Sequence, residues 1–267
     1  MLLADAHTHL DQFPDSELPG VLERARQAGV GVIIVAGVHE ESSRRAVALA
    51  EASEGVYAGV GIHPEEVKSP MNDDGYRRMK ALAQSSPKVV CISEVGLDFA
   101  QGMPPIAAQE QVLRREVRLA RELGLPVIFH SRESPGRLED HRAILRLLRE
   151  ERVGEVGGAW HYFQWSADLA QECFDMGLCV SIAKPFLRLP ELQGVVRDLP
   201  LERMVLETDT YPQTFKRNRA RWNEPKDVRE IAEAIAQVKG VSLEAVTATT
   251  GNLLRMLNGR VTLHTLP

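Results

Sequence analysis

The chain opens with Leu2-Leu3-Ala4-Asp5-Ala6-His7-Thr8-His9, a short apolar run that passes straight into two histidines. A run of this kind reads as a β-strand. In an extended strand, residues two apart project to the same side. His7 and His9 therefore form a pair of imidazoles at the end of a first strand, a pincer suited to a transition metal. Alone, the pair fits equally well with two histidines that hydrogen-bond locally. Whether later strands end in the same way decides both the fold and the site.

They do. Gly31-Val-Ile-Ile-Val-Ala36 is a continuous apolar run, the pattern of a strand buried on both faces. Val56 to Ile62 is a third strand that ends at His63-Pro64, and Val89 to Ile92 a fourth that ends in Ser93-Glu94. Leu125 to Phe129 ends at His130, Glu155 to Trp160 at His161, and Leu178 to Ile182 near Lys184. Arg203 to Glu207 ends in Thr208-Asp209. Between these runs, helical patterns cover Glu17 to Ala28, Glu40 to Ser53, Gly75 to Gln84, Gln109 to Leu123, Leu138 to Glu150 and Ala167 to Met176. Gly124 stands where a left-handed C-terminal residue is favoured. Two further helices, Pro225 to Val238 and Leu243 to Leu257, close the series. Eight strands, each followed by a helix or helical connection, imply a parallel sheet. In about 250 residues that is the size of a (β/α)8 TIM barrel. The expected organisation is a single barrel over residues 1–259 and a tail over 260–267. A doubly wound open sheet is the alternative.

Composition limits the function classes. Of 267 residues, 44% are hydrophobic and 26% charged, the balance of a soluble globular protein. The net charge of −5 excludes a surface that is basic all over and binds nucleic acid through its general field, although a local basic groove is still allowed. No run reaches the roughly 20 apolar residues needed to span a bilayer. Only four residues precede Asp5, which leaves no room for a secretory apolar region. Cys91, Cys173 and Cys179 form no Cys-x-x-Cys. They read as reduced, buried residues of a cytoplasmic protein.

In a parallel barrel all strands end at one face, where active sites lie. His7, His9, His63, Glu94, His130, His161 and Asp209 therefore converge on one ring, and five of the eight histidines in the chain fall in it. Such a donor set suits Zn, Mn, Fe or Ni, or Mg where carboxylate and water dominate. It is too large for one tetrahedral zinc and suits two divalent ions about 3.5–4 Å apart. On this reading Glu94 bridges the ions. His7, His9 and Asp209 hold one, and His130 and His161 hold the other. A water shared by both ions loses its proton near neutral pH, and Asp209 serves as its base.

These residues resemble the TatD family of metal-dependent deoxyribonucleases, within the amidohydrolase-like barrels. The matching segments are Asp5-Ala-His-Thr-His-Leu-Asp11, Gly61-Ile-His-Pro64, Glu94-Val-Gly-Leu-Asp-Phe99, Leu125 to Arg132, His161-Tyr-Phe163, Glu207-Thr-Asp209, Asn223-Glu-Pro225 and Thr250 to Leu254. The resemblance implies a barrel and a two-metal site on His7, His9, Glu94, His130, His161 and Asp209. It also implies hydrolysis of phosphodiester bonds, often from a DNA 3′ end. His63 and Arg132 match positions near the site that touch phosphate, and Asp98 one that supports the ligands. The chain departs from the family in its loops. Gln164-Trp165 replaces a small Ser-Gly turn, Lys184-Pro185 a small Gly, and Lys216 to Arg221 follows Asp209.

The four cations Lys216, Arg217, Arg219 and Arg221 lie on the loop after strand 8, where barrels often bind phosphate. Arg217, Arg219 and Lys184 are therefore candidate substrate contacts, with a solvated loop as the plain alternative. Trp165 either stacks on a base or packs its loop. Trp222 reads as a packing residue. His39, His141 and His264 receive no role. Two other functions compete. One is a related amidohydrolase acting on an amide, lactone or phosphoester, but no lysine ends strand 4 or 5 to be carboxylated. The other is a metal-binding scaffold without catalysis. DNA or another phosphodiester is the expected partner, with no membrane involved and nothing incompatible with a monomer.

Overall fold

The computed structural model describes residues 2–261. Met1 and residues 262–267, with His264 and most of the expected tail, lie outside the described residues. In chain order the elements are β1 (Leu3–Thr8), α1 (Leu18–Gln27), β2 (Val30–Ala36), α2 (Glu40–Ala52), β3 (Val56–Val60), α3 (Asp73–Ala83), β4 (Val89–Asp98) and α4 (Ile106–Leu123). They continue with β5 (Val127–Arg132), α5 (Glu139–Glu150), β6 (Gly158–Trp160), α6 (Ala167–Phe174), β7 (Cys179–Ile182), α7 (Pro190–Asp198) and β8 (Met204–Leu206). The last three are α8 (Val228–Lys239), α9 (Leu243–Val246) and α10 (Ala248–Met256).

The strands pair in sequence order from β1 to β8, each neighbour parallel to the last. A parallel bridge between Thr8 and Thr210 joins the last strand's exit to the first. Asp209 N donates to His7 O at 3.0 Å and His9 N to Thr210 O at 2.7 Å. This is the expected (β/α)8 TIM barrel, and its closure falls beside His7, His9 and Asp209. No described helix is long and apolar enough to cross a membrane.

Apolar side chains alternate between two layers. Ala4, Val32, Ile34, Val90, Ile128, Ala159, Cys179 and Val205 fill the barrel with Leu253 and Leu257 at the α10 end. Leu3, Ile33, Val35, Ile92, Val127, Phe129, Val180 and Leu206 pack outward against the helices. All three cysteines are buried and unpaired. Gly124 ends α4 at φ 64°, in the left-handed conformation its position called for.

Several boundaries differ from the sequence reading. β4 does not stop at Ile92 but runs to Asp98, so Glu94 is a residue of the strand and not its exit. Gly96 permits this, since a Cβ there would lie 2.0 Å from His130 O. β6 is shorter than expected because Val153–Glu155 is a 3-10 turn. α7 had no separate sequence signal, yet Pro190 at its first turn suits a helix start. The final helix is split at Thr247, whose hydroxyl donates to Glu244 O at 2.6 Å and competes with the helical pattern.

One buried side chain ties the closure together. Asp5 accepts from Thr208 N at 2.9 Å, from Thr208 Oγ1 at 2.5 Å and from His7 N at 3.4 Å. Its carboxylate thus holds β1, β8 and the backbone of His7 in one register. Asp5→Ala removes the acceptor of the buried Thr208 N and His7 N, at about 1–3 kcal/mol each, while the Thr208 hydroxyl keeps Thr210 Oγ1 at 2.7 Å. We expect a loss of roughly 2–4 kcal/mol in urea unfolding of the metal-free protein; a loss below about 1 kcal/mol would remove Asp5 from this role.

Candidate metal centre

Glu94 is the centre of the site. It is 4% exposed. Its Oε2 lies 3.3 Å from His7 Nε2 and 3.4 Å from His9 Nε2. Its Oε1 lies 3.0 Å from His130 Nδ1, 3.5 Å from His63 Nε2 and 3.5 Å from His161 Nε2. Asp209 Oδ1 stands 3.5 Å from His9 Nε2. One carboxylate thus turns one oxygen to the β1 histidines and the other to those of the β3 exit, β5 and the β6 exit. All six expected ligands come together, and His63 joins them.

Three of the imidazoles have a polar neighbour at their second nitrogen, whereas His7 Nδ1 is buried without one. His9 Nδ1 is 3.1 Å from Ala36 O. His130 Nε2 is 3.4 Å from Asp98 Oδ2, and His161 Nδ1 is 2.9 Å from Glu207 Oε1. Glu207 also accepts from Tyr162 N at 2.7 Å and from the Ser181 hydroxyl, so it joins the ends of β6, β7 and β8. Asp209 (φ 50°) and Tyr162 (φ 54°) take left-handed backbone, which turns the chain sharply at the two exits. The sequence reading gave Glu207 no role. The signal it left is an acid two residues before Asp209, on the same side of an otherwise apolar strand.

The charges are strongly coupled. Burial alone would raise the Glu94 pKa, but His63, His161 and His7 outweigh it and hold the carboxyl well below its usual range. Burial likewise opposes ionisation of Asp209, yet His9 and His161 bring it down to about 2. For His161 burial favours the neutral ring, and Glu207 and Glu94 reverse this, to about 9. His7 is pushed down by burial and by His161. Ionised carboxylates surrounded by imidazole nitrogens are the donor chemistry of a divalent transition-metal site. Three trios have their ligand atoms within 4.8 Å of one another: His7, His9 and Glu94; His63, Glu94 and His130; and His7, His161 and Asp209. The residues present fit bound metal.

The site opens into a cleft of about 1000 Å³, with Arg132, Tyr162, Gln164, Trp165 and Tyr211 on its wall. The other expected cations lie elsewhere. Lys184 Nζ is held by Asp227 Oδ2 at 2.7 Å and Asn223 Oδ1 at 3.1 Å. Arg219 donates to Glu17 at 2.6 Å and Glu224 at 3.0 Å and packs on Trp222, its guanidinium 4.6 Å from the ring centre. Arg217 is exposed and outside the cleft wall.

The chain is similar to known proteins in sequence and in fold. The sequence profile of the family described as TatD related DNase matches residues 4–258. The chain is 34% identical over 260 residues to the uncharacterized metal-dependent hydrolase YabD of Bacillus subtilis, across 96% of this chain and 98% of that protein. It is 33% identical over 244 residues to the 3′-5′ ssDNA/RNA exonuclease TatD of Cronobacter sakazakii, across 88% and 89% of the two chains. Among solved structures, the TatD homolog YjjV of Escherichia coli K12 superposes with a TM-score of 0.83 at 27% identity, covering 96% of this chain and 98% of that one.

Orienting groups of metal-binding histidines typically govern affinity or activity by about 10–100-fold. Glu207→Gln should weaken divalent-metal binding, read by titration of the metal-free protein, by about that factor. Unchanged affinity and turnover would show that His161 needs no such orientation.

Proposed function

We propose that this chain, which belongs to the TatD related DNase family and is a metal-dependent hydrolase, cleaves phosphodiester bonds in DNA from the 3′ end at a two-ion centre. The observation that carries the two-ion reading is the division of Glu94: Oε2 faces His7 and His9, and Oε1 faces His130, His63 and His161. In this reading His7, His9 and Asp209 belong with the first oxygen and His130 and His161 with the second. His63 supplements the second group. Two divalent ions there would activate water and neutralise charge on a transferring phosphoryl group. The name of the Cronobacter relative, an exonuclease that works 3′ to 5′, favours attack from that end.

The residues of the chain then divide the work. Glu94 holds the two groups at a fixed separation from a rigid strand. Asp209, ionised and beside His9, takes a proton from the attacking water as its oxygen bonds to phosphorus. It returns that proton to the leaving oxygen as the P–O bond breaks. Arg132, on the cleft wall with its side chain 60% exposed, is the proposed phosphate contact. For Lys184 and Arg219, internal ion pairs leave less charge to offer a substrate.

End-labelled single-stranded and duplex DNA tests this reading. With a divalent ion present, laddering should progress from the 3′ end and cease with chelator. Asp209→Asn should lower kcat by about 10²–10⁴ with little change in KM, the range of a lost general base. Glu94→Gln should abolish laddering and reduce the bound metal measured by elemental analysis. Chelator-resistant cleavage, or a Glu94→Gln protein with full metal and turnover, would sink the two-ion centre.

A further inference from the structure

We propose that Trp165 is a stacking platform for a nucleobase and that His141 is the positioning residue that holds it against the cleft. The proposal rests on the phosphodiesterase reading above and adds a nucleotide subsite to it.

Trp165 lies on the loop after β6 and lines the cleft beside the candidate metal ligands. Its side chain is partly buried against the helix-facing core, and its indole nitrogen, the only polar atom in the side chain, is buried without a partner. The surface left for the cleft is therefore flat carbon. Such a surface suits a π-face and offers nothing to a free phosphate.

The support for the indole is a buried histidine. His141, on α5, is fully buried. Its ring centre is 4.0 Å from that of Trp165 and 5.3 Å from that of Trp160. Its Nδ1 is 2.8 Å from Ser131 Oγ and its Nε2 3.1 Å from Glu133 Oε2. Ser131 and Glu133 flank Arg132 in sequence. His141 therefore joins the exit of β5 to the loop of β6, and Arg132 and Trp165 line the same cleft on either side of that link. A cation for phosphate and an aromatic face for a base, at one wall of a metal cleft, match the two halves of a nucleotide. Because every base has a π-face, the subsite takes any base. It favours an unstacked one, as at a single-stranded end.

The test compares two single-stranded oligonucleotides, identical except that one carries an abasic 3′-terminal nucleotide, with the full metal-loaded chain. The readout is the ratio of kcat/KM with the base to that without. Stacking by one aromatic residue predicts a wild-type ratio of roughly 5- to 150-fold. Trp165→Ala should bring the ratio close to one, and Trp165→Phe should retain most of it. His141→Gln keeps hydrogen-bonding groups but loses the ring, and should lower the ratio through KM while kcat holds. If Trp165→Ala lowers kcat/KM equally on both oligonucleotides, the indole is only part of the wall and the proposal is overturned. A wild-type ratio near one also overturns it. If the wild-type protein cleaves neither oligonucleotide, the phosphodiesterase reading itself falls.

Discussion

A single buried carboxylate, surrounded by five imidazoles, sets the terms for the rest of the structure. Glu94 stays ionised despite its burial because His63, His161 and His7 outweigh the cost of desolvation. An isolated ionised carboxylate in that position would be strongly disfavoured. The imidazoles in turn need an acceptor, since most present a nitrogen to the same two oxygens. Neither partner is stable in the interior without the other. The barrel answers this requirement, because only a closed parallel sheet brings residues from five separated segments to one point at its rim.

The fold and the site are consequently not separable. The closure of β8 on β1 passes through Asp5, Thr208 and the backbone of His7 and Asp209. The same contacts that hold the barrel shut fix two of the candidate ligands. Glu207 does the corresponding work across β6, β7 and β8, and it approaches His161 at 2.9 Å. A change that loosens the sheet here misplaces ligand atoms, and a change in the ligands leaves buried charge without a partner.

This coupling explains what could be read from the sequence. The barrel and the candidate ligands were legible because strand and polar exit residue recur in one order, and each unit is local. His7, His9, Glu94, His130, His161 and Asp209 converge on one ring as that pattern led us to expect, although Glu94 lies within β4 and not at its exit. The misplaced boundaries have local causes that depend on tertiary contact. β4 extends to Asp98 because Gly96 lets β5 come close, and α4 clamps its end through Gln109, whose amide bonds both Asp98 N and Asp98 O. The loop cations were read from their place after the last strands, on the face where barrels often bind phosphate. Their partners are remote: Lys184 pairs with Asp227, and Arg219 with Glu17, 202 positions away. No local pattern shows such pairs. His141 was legible as a helical residue but not as a support for Trp165, because that contact joins α5 to the loop after β6.

The internal pairing of those cations becomes intelligible once the charge of the centre is considered. Glu94, Asp98, Glu207 and Asp209 gather acid at one end of a chain whose net charge is already −5. Without cations such a cleft repels a phosphodiester. Two divalent ions would reverse the local sign and become the largest charges in the site. The attraction for phosphate then arises at the reacting centre itself, and a broad basic surface is unnecessary. Lys184 and Arg219 can stabilise the loops they sit on, and Arg132 is the cation on the wall of the cleft, beside aromatic groups and the acids Glu65, Glu66 and Glu133. Attraction for phosphate and stacking of a base can thus reside on different residues of the same rim.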